Sequence, residues 1–188
     1  MRVVIDLTED DLDHFRAAMR RAKEAAHHLS PQEVTTAAQK LLDDTQGAQV
    51  PEFVSSRMKR LATLIGMVHD TNWGLSDHER HEILSALTYF ADPQDAIPDT
   101  IPVLGFLDDA IMIELVVEEL KHEIDAYEDF CAFRTQAGEE HGGEHADGLV
   151  RNDWLEQRQH ELLDRMRQRR SRDAGYGGRS GFSLFSVR

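Results

Sequence analysis

The sequence holds 188 residues, of which 40% are hydrophobic and 30% charged, and this is enough chain for one domain with a sizeable apolar core. The formal net charge of -14 is unevenly spread, because residues 151–188 hold nine arginines against five acidic residues and residues 1–150 therefore carry -18. A body this acidic repels phosphate backbones and anionic lipid, which argues against nucleic-acid binding through the main domain.

The cysteine content and the hydropathy of the chain indicate in which cellular compartment the protein is expected. Cys131 is the sole cysteine, so no intrachain disulfide can form and a cytoplasmic location is expected. The most apolar stretch, residues 101–117, is interrupted by Asp108, Asp109 and Glu114. A central aspartate costs roughly 2.5–3.5 kcal/mol on insertion scales, so we predict no transmembrane span.

Two amphipathic helices are predicted near the N-terminus, after a short extended start. Thr8 is a plausible N-cap for the first helix, over about residues 9–28, in which apolar residues recur at helical spacing. The second helix begins with Ser30 and Glu33, the two positions of a capping box, and Gly47 can end it.

The third and fourth helices are predicted from similar signals. A sustained apolar stripe begins near Pro51 and ends at the segment TNWG, residues 71–74. Ser76 and Glu79 form a further capping box that opens the fourth helix, and Pro93 stops it.

The second half of the chain is predicted to contain one long helix, over about residues 103–136, which completes a helical domain spanning residues 1–136. A flexible linker rich in glycine and glutamate follows at residues 137–149. A detached helix is then expected at residues 150–171, with a disordered tail at residues 172–188. The predicted fold class is therefore all-α, with about five helices in a compact domain and an additional C-terminal helix.

An acidic, proline-containing connector lies between the fourth and fifth helices. Its sequence, DPQDAIPDTIPVLGFLDDA, spans residues 92–110 and contains Asp95, Asp99, Asp108 and Asp109 among bulky apolar residues. At 100° per residue, Asp109 falls on the apolar face of the helix that follows, where a carboxylate needs hydrogen bonds, a cation or a raised pKa. Backbone amides of the connector would satisfy it, and the motif would then be a structural lock between two helices.

A cation site is the alternative interpretation of the same motif. Asp95, Asp99, Asp108 and Asp109 supply oxygen ligands of the kind that Mg²⁺ or Ca²⁺ prefers, although their spacing is not that of an EF-hand loop. A carboxylate acid–base pair of Asp99 and Asp109 is a third reading. The chain has neither a nucleophile elbow nor a phosphate-binding loop, so we lean against an enzyme.

The connector also resembles the signature of the YkvA-like family, a domain of unknown function. That signature is approximately D-x-I-P-D, apolar residues, P, an apolar residue, L-G, an aromatic residue, an apolar residue and D-D. The matching positions are Asp95, Ile97, Pro98, Asp99, Ile101, Pro102, Leu104, Gly105, Phe106, Leu107, Asp108 and Asp109. The resemblance covers about residues 60–130 and implies a small helical domain without an established activity. Many relatives look membrane-associated, so the resemblance also implies peripheral membrane association as an alternative.

Two features of the C-terminal region suggest that it takes part in binding. The run RMRQRRSR, residues 165–172, would suit nucleic acid or anionic lipid, or would pair with the acidic body of the same or a neighbouring chain. Ser183, Leu184 and Phe185 resemble the end of the short peptides that bind bacterial sliding clamps. The leading hypothesis is thus a non-enzymatic interaction or scaffold protein whose acidic motif is structural and whose tail contacts a protein partner.

Overall fold

The computed structural model describes residues 8–25, 28–46, 48, 50–91, 106–140 and 148–175. The described residues form seven α-helices and no strand, so the predicted all-α class is confirmed. The helices are α1 (Glu9–Ala25), α2 (Pro31–Gln46), α3 (Glu52–His69), α4 (Asp77–Leu87), α5 (Leu107–Glu119), α6 (Lys121–Glu140) and α7 (Gly148–Gly175), and a 3₁₀ turn, Thr88–Ala91, extends α4.

The predicted helix starts are confirmed by reciprocal side-chain hydrogen bonds. At the start of α4, the Ser76 backbone N–H donates to Glu79 Oε2 over 2.9 Å, and the Glu79 N–H donates to Ser76 Oγ. Ser30 and Glu33 make the same pair of bonds before α2. Each box satisfies backbone donors that the first turn of a helix leaves without an intrahelical acceptor.

Helix α5 is buried over most of its length. It packs against α3 on one side and contacts α1 and α6. Almost every residue of its first three turns is buried: Asp108, Asp109, Ala110, Ile111, Met112, Ile113, Leu115 and Val116. A helix with mostly apolar side chains belongs in the interior of a bundle, and the exposed residues of α5, Glu118 and Glu119, lie at its C-terminal end.

The single long helix predicted over residues 103–136 is two helices in the structure. The break lies at the buried Leu120, whose φ of -104° and ψ of 22° leave the α-helical region. The flanking hydrogen bonds persist, since the Leu120 N–H donates to the Val116 carbonyl and the Ile124 N–H donates to the Leu120 carbonyl. The helix is therefore interrupted at this single residue, and no proline or glycine marks the position in the sequence.

The prediction of a detached C-terminal helix is wrong. Helix α7 packs antiparallel to α6 and buries Leu162, Leu163 and Met166 in the common core. The predicted linker over residues 137–149 is helical at both ends, because α6 continues to Glu140 and α7 begins at Gly148. The glycines and charged residues of this segment predicted a longer linker than residues 141–147, which are the residues between the two helices.

The structure describes only part of the segment that was predicted to be a disordered tail. Residues 172–175, which were expected to be disordered, form the last turn of α7. The remaining tail residues, including Ser183, Leu184 and Phe185, lie outside the described residues, as does the predicted extended N-terminus.

The connection between α3 and α4 is fixed by aromatic and ionic contacts with α6. Trp73 is fully buried, with its ring centroid 5.6 Å from that of Tyr127 and 5.2 Å from that of Phe130. The Asp70 carboxylate accepts hydrogen bonds from Tyr127 Oη at 3.2 Å and from Arg134 Nη1 at 2.7 Å. This contact holds the C-terminal end of α3 against α6 and presents the Trp73 carbonyl to α7.

Gly74 allows the sharp turn after Trp73, and its substitution gives a test of this connection. Its φ of 64° is strained for any residue with a side chain, and an added Cβ would lie 2.1 Å from Gln159 Nε2, which donates to the Trp73 carbonyl. We expect Gly74→Ala to destabilise the protein by about 1–2 kcal/mol, or roughly 2–8 °C in Tm.

Gly66→Ala is the matched control for this measurement by thermal unfolding. Gly66 lies within α3, and a Cβ there would meet Tyr127 Oη at an ordinary 3.6 Å. Alanine is the better helix former by roughly 1 kcal/mol, so this change should be neutral or stabilising. Equal losses for both variants would contradict the role assigned to the turn.

Candidate functional site

Asp108 and Asp109 lie in the first turn of α5 and are buried, with 2% and 8% of their surfaces exposed. Burial of Asp109 agrees with its predicted place on the core face of the helix. Negative charge in this turn is favoured by the partial positive charge at the N-terminal end of a helix. The two carboxylates therefore occupy a position where their charge stabilises the start of α5.

The rest of the acidic motif cannot be placed beside them. Asp95 and Asp99 lie outside the described residues, as do the other signature positions between residues 95 and 105. Within the part of the chain that the structure describes, no three His, Cys, Asp or Glu side chains are grouped as metal ligands would be. The Mg²⁺ or Ca²⁺ site that requires all four aspartates therefore stays a prediction.

Acidic residues on α5 and α6 pair with bases on neighbouring helices. Glu114 Oε2 accepts from Arg57 Nε of α3 at 2.8 Å, and Glu119 accepts from Lys23 Nζ of α1 at 3.0 Å. These pairs are partly exposed, so each contributes at most about 1 kcal/mol. They connect α5 to α3 and to α1.

A two-point ionic contact joins α7 to α4. Arg167 donates from Nε and Nη2 to the two carboxylate oxygens of Glu79, at 2.8 and 3.1 Å. The Glu79 side chain is only 5% exposed, and the same carboxylate accepts from Ser76 in the capping box. Burial disfavours its ionised form, but the hydrogen bonds from Arg167 and Ser76 outweigh burial and lower the pKa of Glu79 to about 2.

A second arginine of α7 connects α4 and α6. Arg170 donates from Nη1 to Glu123 of α6 at 3.1 Å and from Nη2 to Glu82 of α4. Glu123 is as deeply buried as Glu79 but has fewer donors, and burial raises the pKa of its carboxyl despite the nearby Arg170. At the end of α7, Asp173 lies 2.6 Å from the His122 ring nitrogen Nε2.

These contacts define a surface that we call the α4–α6 groove, formed by Trp73, Glu79, Glu82 and Glu123. Helix α7 occupies it, with Gln159 Nε2 donating to the Trp73 carbonyl at 2.8 Å. Acidic side chains bordering an apolar strip form a receptor for a basic amphipathic helix. Pairing of the arginine run with the acidic body was one of the alternatives predicted from the sequence, but Glu79, Glu82 and Glu123 were not predicted as its partners.

The free thiol of Cys131 on α6 lies near the C-terminal end of α3, next to Arg134. Cys131 is partly buried, and its Sγ accepts a weak hydrogen bond from Arg134 Nη2 at 3.6 Å. It is therefore less enclosed than its position on the apolar stripe of α6 suggests.

Comparison with known proteins identifies the class of this chain. Residues 80–115 match the family model described as "Protein of unknown function (DUF1232)". This segment runs from within α4 to within α5, and so includes Asp108 and Asp109. No solved structure matches the chain significantly.

One relative makes the family assignment more specific. The chain is 32% identical over 77 residues to the "Uncharacterized membrane protein YkvA" of Bacillus subtilis (strain 168), an alignment that covers 38% of this chain and 71% of the relative. The chain belongs to the YkvA-like family of unknown function. Its helical class agrees with what the resemblance implied.

The relative's description raises the question of membrane insertion. Among the described residues, none of the helices combines the length and the apolar character that crossing a bilayer requires.

Glu79 and Glu123 make a matched pair for testing how α7 is held. We expect Glu79→Gln to reduce stability at pH 7 by about 2 kcal/mol, because it removes the charge from several hydrogen bonds. We expect Glu123→Gln to leave stability unchanged or to raise it, because the ionised form of Glu123 is disfavoured by burial. Denaturant unfolding measures both.

The pH dependence of the two contributions has opposite signs. Because the Glu79 pKa falls from 4.5 to about 2 on folding, its contribution is complete above pH 4.5 and is lost as the pH falls toward 2. The raised pKa of Glu123 means that its unfavourable contribution disappears on acidification. The stability difference between wild type and Glu79→Gln should therefore shrink between pH 4.5 and 2; a constant difference would contradict the assignment.

Proposed function

We propose that this YkvA-like protein is a non-enzymatic helical interaction protein in which the acidic motif is structural. The observation that carries this proposal is the burial of Asp108 and Asp109 in the first turn of α5, a helix that is buried over most of its length. Carboxylates there stabilise the start of the helix through the helix dipole. A cytoplasmic location is part of the proposal.

The arrangement of the remaining acidic residues supports an interaction role. Glu79 and Glu123 are buried under α7, and their cationic partners are Arg167 and Arg170. Binding surfaces of this kind recognise a helix through apolar anchors and select it by charge. The tail peptide Ser183-Leu184-Phe185 is a further proposed contact. Its sequence resembles the peptides that bind bacterial sliding clamps, so we propose a sliding clamp as its partner.

Metal binding by the aspartate motif is the alternative, and one pair of measurements separates the two. We expect Asp109→Asn to lower the free energy of unfolding by about 1–2 kcal/mol, because a buried charge at the helix start is lost. We expect no heat of binding when Mg²⁺ or Ca²⁺ is titrated into the wild-type protein.

Asp125→Asn is the matched control, since Asp125 is an exposed acid on α6 and its loss should change stability by less than about 0.5 kcal/mol. Calorimetric binding of either ion to wild type, lost in Asp109→Asn and retained in Asp125→Asn, would replace the structural interpretation with a metal site.

Peripheral membrane association is a second candidate function, favoured by the description of the Bacillus subtilis relative as a membrane protein. The acidic body opposes it, because residues 1–150 carry a net charge of -18. We therefore expect the full chain to remain in the supernatant when it is sedimented with vesicles of phosphatidylcholine and phosphatidylglycerol at physiological salt. Recovery with the vesicles would favour the membrane function, and vesicles of phosphatidylcholine alone show whether anionic lipid is needed.

A further inference from the structure

Helix α7 contacts the body through one continuous face. Its side chains on this face recur every three or four residues over four turns: Gln159, Leu162, Leu163, Met166, Arg167, Arg170 and Asp173. The three apolar side chains are at most 3% exposed, and polar contacts lie at both ends of the strip they form. The spacing is that of a helical ligand lying in a groove.

The α4–α6 groove has a charge that only a basic helix satisfies. Glu79 and Glu123 are each 5% exposed beneath α7, and their cationic partners, Arg167 and Arg170, both come from α7. Glu82 lies at the edge of the groove with 30% of its side chain exposed and shares Arg170 with Glu123. Without a basic helix, the groove would present an acidic rim around an apolar strip. This surface complements a basic amphipathic helix but not a neutral or acidic helix.

Helix α7 is part of the same chain as the groove, so any partner helix competes with it. It is joined to α6 through residues 141–147, a short segment that contains Gly142 and Gly143. For short linkers in general, a ligand in the same chain acts at an effective concentration on the order of millimolar. A partner helix must compete with that concentration, so groove occupancy depends on how well α7 itself binds.

We propose that the α4–α6 groove is a docking surface for an amphipathic helix of another protein, and that α7 occupies it until such a helix displaces it. The partner helix would carry apolar residues at positions i, i+1 and i+4 and arginine or lysine at i+5 and i+8, the pattern of Leu162, Leu163, Met166, Arg167 and Arg170. This assignment rests on the proposed interaction function and adds the site and the chemistry of the partner.

Binding of a labelled synthetic peptide of residues 153–174 to the full-length chain tests the proposal by fluorescence polarisation. In the Arg167→Ala/Arg170→Ala chain, α7 is weakened while the groove acids remain. That chain should bind the peptide at least about tenfold more tightly than wild type, in which α7 competes. The same peptide with both arginines changed to glutamate should not bind.

Charge reversals locate the binding surface. Adding Glu82→Lys to the double variant should weaken peptide binding by about fivefold or more, because it places a like charge beside the peptide arginines. Adding Asp125→Lys, a reversal on the exposed face of α6, should change binding by less than about twofold. Equal effects of the two reversals would overturn the assignment of the groove.

A second measurement remains informative if the double variant does not fold. A protease site introduced within residues 141–147 allows the folded chain to be cut while every residue is retained. We expect labelled peptide 153–174 to exchange into the cut protein and unlabelled peptide to compete with it. No exchange after a day with excess peptide would overturn the proposal, as would a dimer formed by mutual exchange of α7 that excludes the peptide.

These outcomes are separate from those that test the proposed function. Metal binding lost in Asp109→Asn would reject the structural role of the acidic motif without altering the peptide measurements. Failure of the peptide to bind would reject the groove and leave the role of Asp109 unaffected.

Discussion

Buried and half-buried carboxylates need hydrogen-bonding partners, and in this bundle the partners come from other helices. Asp70 holds α3 against α6 through Arg134, Glu79 holds α4 against α7 through Arg167, and Glu123 holds α6 against α7 through Arg170. An unpaired charge in these places would be strongly destabilising. Apolar burial supplies most of the stability, but these three pairs make one arrangement of the helices preferable to others of similar packing.

The local elements of this fold are readable from sequence because their causes are local. The capping boxes at Ser30 and Ser76 join residues three apart, and both occur as expected. The break at Leu120 has no such signature, since neither proline nor glycine accompanies it. Only packing against other helices distinguishes it from a continuous helix.

Contacts between distant residues explain the larger error, at α7. Glu79 and Arg167 are 88 residues apart, and no periodicity connects them. The arginine run and the glycines before α7 suggested a separate helix. Leu162, Leu163 and Met166 on one face, together with the acidic excess of residues 1–150, were the signals that pointed to docking. The burial of Asp109 followed from its angular position, whereas the relation of Asp95 and Asp99 to it needs coordinates outside the described residues.

The two tryptophans of the sequence divide between the body and α7. Trp73 is fully enclosed beside Tyr127 and Phe130, whereas Trp154 on α7 is half exposed. An aqueous quencher such as iodide therefore reaches the indole of Trp154 and not that of Trp73. The unmodified chain thus contains two intrinsic fluorophores with different accessibilities, so emission spectra recorded with and without quencher resolve events at α7 from events in the bundle without any attached dye.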